Sequence, residues 1–299
     1  MRRLRTRDLV RQTLAFALIA LAGGYALSAD DVKITEIAPS VLLFSTANGN
    51  VVASVGPDGA LLIGTPSASS TDQIAKVLSS RTQSMSRYVV IAAQDAAHSQ
   101  GDACWTRRGA FVTMQENALG RLGGGGMGKP KPLPAQFNVL RVERPRIAFS
   151  EVIKFDMNGD AIHIVHQKPG YSDADCIAHF HSVKLIYLGE VFPGDGYPKV
   201  DAEQDGALDG FLSTLEPWTM GDMRFVPARG GLVSTADVKA FHDMIATVRD
   251  RVQAMLKAGK TESAIVAAHP TAEFDGRWGH GRVTPDAFVR EVYAAVKKK

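Results

Sequence analysis

The chain has 299 residues, 45% of them hydrophobic and 22% charged, with a formal net charge of +3. That is ordinary globular composition, and it rules out a low-complexity or collagen-like polymer. The small positive excess leans on arginines among the first residues and on Lys297, Lys298 and Lys299. No basic stripe interleaved with aromatics is present, so no nucleic-acid partner is expected.

Arg2, Arg3, Arg5, Arg7 and Arg11 form a basic leader, and Leu14 to Ala22 an apolar run too short to span a bilayer comfortably. Ala26, Leu27 and Ser28 then supply small residues for cleavage after Ser28 or Ala29. Residues 1–29 therefore read as a Sec-type signal peptide, against an uncleaved anchor, and the mature protein as periplasmic or secreted. Residues 30–299 suit one large domain.

Short β-rich runs follow at Val41–Phe44, Gly49–Val55 and Ala60–Ile63, joined by turn signals at Asn48-Gly49 and Pro57-Asp58-Gly59. Ile74, Val77 and Leu78 recur at helical spacing within Ser70–Ser80, with Ser70 or Thr71 as cap. Arg87–Ala92 reads as a buried strand, Gly101–Arg108 as a helix and Phe111–Met114 as a strand. Four consecutive glycines (123–126) and Pro130, Pro132 and Pro134 mark residues 122–134 as a loop. No G-x-x-x-x-G-K-[ST] pattern makes it a phosphate cradle.

Strands are expected at Val152–Phe155, Ala161–His166, Asp175–Phe180 and Lys184–Leu188, with Asn158-Gly159 as a hairpin turn. A helix at Leu208–Leu215, a strand at Arg224–Val226 and a long amphipathic helix at Thr235–Gly259 come next. Thr261–Ala267 and Pro285–Lys298 complete a helical C-terminus. Strands then a helix, written twice, outline an α/β (α+β) fold, a four-layer αββα sandwich.

The stretch Tyr88–Asp102 carries the chemistry. It resembles the metal-binding turn of the metallo-β-lactamase fold superfamily, which reads strand, Thr-His-x-His-x-Asp-His-x-x-Gly-Asn, helix. Its four ligand slots fall here on Ala93, Asp95, Ala97 and His98. The resemblance spans most of the chain. Residues 48–63 match the opening hairpin, and 170–175 match the Ala-His-Thr-x-Gly-Asp loop with Tyr171 in a zinc histidine's place. Leu188-Gly189-Glu190 matches Thr-Gly-Asp and puts Glu190 at the bridging carboxylate. Residues 226–230 match Pro-Gly-His-Gly and put Arg229 at the last histidine.

Such sites use His and Asp ligands on zinc to make hydroxide near neutrality. Alanine coordinates nothing, and a guanidinium is a fixed cation with no lone pair to give. The preferred reading is therefore an exported pseudoenzyme with most zinc ligands lost, acting as a binding or accessory protein, and with no cofactor. In it Arg229 pairs with Glu190 and Asp95, with His98 nearby, or offers a positive centre to a small-molecule or anionic ligand in the cleft. The alternative is a metal-dependent hydrolase of esters, lactones or amides. It would hold one metal ion (Zn, Fe or Mn) on Asp95, His98 and Glu190, with Tyr171 as a fourth ligand. A homo-oligomer or pairing with an active paralogue is a third possibility.

Two cysteines, Cys104 and Cys176, leave open a disulfide or two buried thiols. His163, His166, His179 and His181 lie in or beside strands. His179 and His181 share a face, which suits either a metal pair or a solvated strand surface. No G-x-S-x-G elbow supports a serine nucleophile.

Overall fold

The computed structural model describes residues 31–64, 68–84, 86–92, 102–121, 146–200 and 207–298. Residues 1–29, read from sequence as a signal peptide, residues 93–98, read as the degenerate metal-binding turn, and residues 122–134, read as a loop, lie outside them. Among the described residues no helix is long and apolar enough to cross a membrane.

Two twisted sheets stack face to face. The first has the order β1-β2-β3-β4-β5-β6-β7 and the second β13-β12-β11-β10-β9-β8. In the first, β1 (Lys33–Ala38), β2 (Val41–Thr46), β3 (Gly49–Gly56) and β4 (Gly59–Ile63) form an antiparallel meander. Parallel strands β5 (Ser86–Ile91), β6 (Phe111–Gln115) and β7 (Arg146–Phe149) extend it. In the second, β8 (Val152–Met157), β9 (Asp160–His166), β10 (Cys176–Phe180) and β11 (Leu185–Gly189) are antiparallel neighbours. Strand β12 (Arg224–Pro227) lies parallel to β11, and β13 (Val233–Ser234) closes the edge.

Period-2 alternation sends each strand's side chains to two different cores. Val41, Leu43, Val52, Leu61 and Ile63 face the second sheet, where they meet Ile162, Ile164, Ala178 and Tyr187. Leu42, Phe44, Val51, Ala53 and Leu62 face outward under α1 (Ala68–Arg81), with Trp105 of α2 (Asp102–Arg107) packed among them. Because both faces are covered, β2, β3 and β4 read as near-continuous apolar runs. Truncating one such buried leucine to alanine costs about 2–5 kcal/mol.

A smaller cluster joins β5 and β6 to α3 (Glu116–Arg121). The outer face of the second sheet is the largest core. There Ile177, Ile186 and Phe225 meet α4 (Ala207–Leu215), α5 (Thr235–Lys257), α6 (Glu262–Ala267) and α8 (Pro285–Lys297). A 3-10 turn at Glu216–Trp218 and the short α7 (Asp275–Trp278) complete this layer. The order is helix, sheet, sheet, helix.

Helix α5 starts on a capping box. Ser234 accepts from the Asp237 N–H, and the Asp237 carboxylate accepts from the Ser234 N–H. Helix α4 presses so closely on the loop before β10 that a Cβ on Gly210 would fall 1.6 Å from the Pro169 carbonyl oxygen.

Candidate functional site

Loops at one end of the sandwich converge where the parallel strands β11 and β12 run out. Register pairs Tyr187 with Val226 and Gly189 with Pro227, so Glu190 and Arg229 leave from adjacent strand ends. In open α/β sheets that carboxyl-end crevice is where ligands sit. The backbone then zips the two loops together: the Ala228 N–H donates to Phe192 O at 2.9 Å and the Arg229 N–H to Pro193 O at 3.0 Å. Gly194 has φ +85°, and a Cβ there would lie 2.2 Å from Arg229 O, so only glycine fits.

The first sheet holds this assembly through Asn50. Its N–H donates to Ala228 O at 2.7 Å. Its Nδ2 donates to Pro227 O at 2.9 Å and to Gly230 O at 2.8 Å. Asn50 Oδ1 is buried and has no donor partner among the described residues.

At the centre Arg229 makes a bidentate pair with Glu190, Nη1 to Oε1 at 2.6 Å and Nη2 to Oε2 at 2.9 Å. Its Nε donates to Asp195 Oδ2 at 2.7 Å. The Arg229 side chain is 12% exposed and that of Glu190 6%. Burial opposes the charged guanidinium, yet hydrogen bonding and attraction from Glu190 and then Asp195 overcome it and raise its pKa above the ordinary arginine value. Arg282, at the surface, adds an outer contact to Asp195 at 3.6 Å.

Tyr171 lies in the loop entering β10, partly buried against the helix-side core. That loop is wound around Asp175. The carboxylate accepts from the N–H groups of Tyr171 at 2.8 Å, Ser172 at 2.9 Å and Gly170 at 3.3 Å, and from Ser172 Oγ at 2.6 Å. Complete burial raises the Asp175 pKa to about 6 against the pull of those four donors. Asp175 therefore shapes the loop. The Cys176 N–H donates to Ala92 O at 2.9 Å, tying this loop to the end of β5, from which residues 93–101 depart.

Of the seven positions named from sequence, Glu190 and Arg229 are in direct contact, and Tyr171 sits in the loop that precedes β10. Ala93, Asp95, Ala97 and His98 lie outside the described residues. Asp195, which the sequence reading did not single out, is the second carboxylate on Arg229. Its signal was faint: an acidic residue between two glycines in the loop after β11.

Other expectations resolve clearly. Of the two arrangements left open for the cysteines, the structure has free thiols, Cys104 half-buried and Cys176 buried. Cys104 rides on α2, which packs on the outer face of the first sheet, whereas Cys176 is buried in the core between the sheets. Burial, with the neighbouring Asp175, pushes the Cys176 thiol well above its usual pKa, so it is not a poised nucleophile. His179 and His181 stack with ring centres 3.8 Å apart, and His181 Nε2 meets His163 Nδ1 at 3.1 Å. His166 Nε2 instead contacts Asp173 O at 3.0 Å. Among the described residues no three His, Cys, Asp or Glu side chains stand in position to hold a metal ion.

The fold is shared with solved structures. A metallo-beta-lactamase from Pontibacter korlensis superposes with a TM-score of 0.57 at 12% identity, covering 72% of this chain and 99% of that one. The chain has the metallo-β-lactamase fold. The stereoselective inverting sec-alkylsulfatase Pisa1 from Pseudomonas sp. superposes with a TM-score of 0.63 at 16% identity over 88% of this chain. A double mutant of that sulfatase gives 0.61 at 17% identity. This chain spans 50% of the sulfatase's length. No protein-family model and no curated protein sequence matches the chain. The metallo-β-lactamase fold accounts for the two sheets, the flanking helices and the place where the site's loops meet.

Among the described residues, both Glu190 oxygens are engaged by Arg229, whose guanidinium is a fixed positive charge with no lone pair for a metal ion.

Proposed function

We propose that this chain is a non-hydrolytic member of the metallo-β-lactamase superfamily, a pseudoenzyme whose cleft serves as a binding or accessory surface. The observation that carries this reading is the bidentate Arg229–Glu190 pair, with Asp195 as a second counter-charge. A buried carboxylate needs a positive partner, and here a guanidinium supplies what a metal ion would otherwise supply. Three of the guanidinium's five N–H donors are directed at carboxylates. Arg229 is thus an internal counter-ion before it is an anchor for an anionic ligand. Export through residues 1–29 belongs to the same proposal and places the function in the periplasm or outside the cell.

The neighbours' printed names, a metallo-beta-lactamase and a sec-alkylsulfatase, define the assays. Protein purified without chelator is analysed for zinc, iron and manganese, and assayed on a chromogenic cephalosporin and on aryl and alkyl sulfate esters. Asp95→Ala and Glu190→Ala serve as controls. Folded, metal-free and inactive protein is the expected result. Near-stoichiometric metal that disappears in both variants, together with turnover, would overturn the proposal in favour of a single-metal hydrolase on Asp95, His98 and Glu190.

A further inference from the structure

Away from the cleft, the outer face of the second sheet carries three histidines. Strands β9 and β10 set His163 opposite His179, and His181 follows two residues on, so all three share one face. His181 Nε2 lies 3.1 Å from His163 Nδ1, in contact with solvent. The His179 ring stacks on that of His181 at 3.8 Å and stands edge-on to Trp218 at 5.7 Å. Trp218 in turn packs edge-on to Phe225 of the core, so the stack is anchored from below.

A hydrogen bond between two neutral imidazoles accounts for the 3.1 Å contact as it stands. The same spacing also suits two ligands of one ion. With metal–imidazole bonds of about 2.0–2.1 Å, nitrogens that far apart subtend roughly 100° at the metal. That angle lies between the right angle of a tetragonal centre and the tetrahedral angle. The ion would sit roughly 1.3 Å to one side of the line joining the nitrogens. The exposed His181 ring has room to turn its lone pair toward that point. Desolvation, then His181 and Lys154, lower the His163 pKa against the pull of Asp160, so His163 is neutral at neutral pH, the form that ligates. Two imidazole nitrogens, with no thiolate or carboxylate beside them, favour copper(II) over the other divalent first-row metals.

We propose that His163 Nδ1 and His181 Nε2 form a surface copper(II) site, completed by water. Two protein ligands define it, and His179 is a positioning residue that holds the His181 ring from behind. The site is independent of the Arg229 cleft and of the reading given to that cleft.

The test is titration of the full-length protein with copper(II) sulfate in a non-chelating buffer near neutral pH, followed by electron paramagnetic resonance and tryptophan fluorescence. One copper(II) per chain with nitrogen hyperfine splitting from two imidazoles is expected, bound more tightly than nickel(II) or zinc(II). His163→Gln and His181→Gln should each weaken binding about 10- to 100-fold. His179→Phe, which keeps a ring against His181, should bind within about 2-fold of the parent protein, as a ligand role for His179 would not allow. Trp218→Phe should keep the affinity and reduce the fluorescence quenching. Asp95→Ala and Glu190→Ala should leave copper binding unchanged, which separates this site from any metal in the cleft. His181 is exposed, so His181→Gln keeps the test open if His163→Gln does not fold. No saturable copper binding, undiminished affinity in His181→Gln, loss of binding in His179→Phe, or loss of binding in Asp95→Ala would overturn the proposal.

Discussion

A single side chain ties the two loops of the cleft together. Arg229 is fixed at its backbone by Pro193 O and at its head by Glu190 and Asp195, so its guanidinium cannot swing away without breaking several contacts. Removing one member of a buried pair leaves the other as an uncompensated charge, whereas removing both together can be nearly neutral. Arg229→Leu alone should therefore destabilise by about 3–5 kcal/mol. Adding Glu190→Leu should recover part of the loss, giving a coupling between the two sites of about 0.5–3 kcal/mol. Urea denaturation of the two single variants and the double variant measures this directly. Additive losses would mean that the pair contributes packing and not charge compensation.

Strands β9 and β10 bring His163 and His179 directly opposite each other, and His181 stacks on His179 from two residues further on. Trp218 from the 3-10 turn stands edge-on to His179. The pKa of His163 and of His179 is lowered, first by desolvation and then by neighbouring His181. Each folded imidazole thus resists a proton that the unfolded chain accepts near its ordinary pKa of about 6.5. The unfolded state binds more protons in that window, so stability should be complete above about pH 6.5 and fall as pH drops toward the lowered values. Asp175, raised to about 6, acts in the opposite sense: its contribution is lost as pH rises from its ordinary value toward 6. Comparing His181→Gln with the parent protein isolates the histidine part, because Asp175 is common to both. The variant should show a shallower drop in Tm between pH 7.5 and 5.5. An identical slope would remove the cluster as the cause.

The same scale shows what local sequence carries. Asn48-Gly49 and Pro57–Gly59 announced the β2–β3 and β3–β4 turns because glycine at positive φ is a local requirement, met at Gly49 and Gly59. Helix α5, expected through Gly259, ends at Lys257, and Gly259 at φ +76° turns the chain away. Strand β1 leaves little trace in the sequence because it is a half-exposed edge whose Lys-Ile-Thr-Glu-Ile-Ala alternation is weak. Strand β13 is only two residues long and exists because β12 offers it an edge. In the site, Glu190 and Arg229 were legible from short motifs after strands. Their link to Asp195 was not, since an ion pair 34 residues apart leaves no local pattern.

For the molecule as a whole, the question is what makes two sheets one cooperative unit. The apolar core between them is non-directional and would tolerate sliding. Two asparagines supply direction. At the cleft end, Asn50 of the first sheet donates to Pro227 O and Gly230 O of the second. At the other end, Asn158 in the β8–β9 turn donates from Nδ2 to Ser54 Oγ at 3.0 Å and to Gly59 O at 3.1 Å. The Asn158 N–H donates to Asp58 Oδ2 at 2.7 Å, and its Oδ1 accepts from the Asp58 N–H at 3.1 Å. The length of β3 separates the two bolts by about 20 Å, beyond the distance at which substitutions normally couple. Asn50→Ala should cost about 1–3 kcal/mol, because it leaves two carbonyls at the cleft without their donor. Asn158→Ala, closer to solvent, should cost about 1 kcal/mol. If the core makes the sheets one unit and the asparagines only set their alignment, the double variant should lose the sum to within about 0.5 kcal/mol. It should also unfold in one transition with an unchanged denaturant slope. A second transition appearing in the double variant would show instead that the bolts, and not the core, join the sheets.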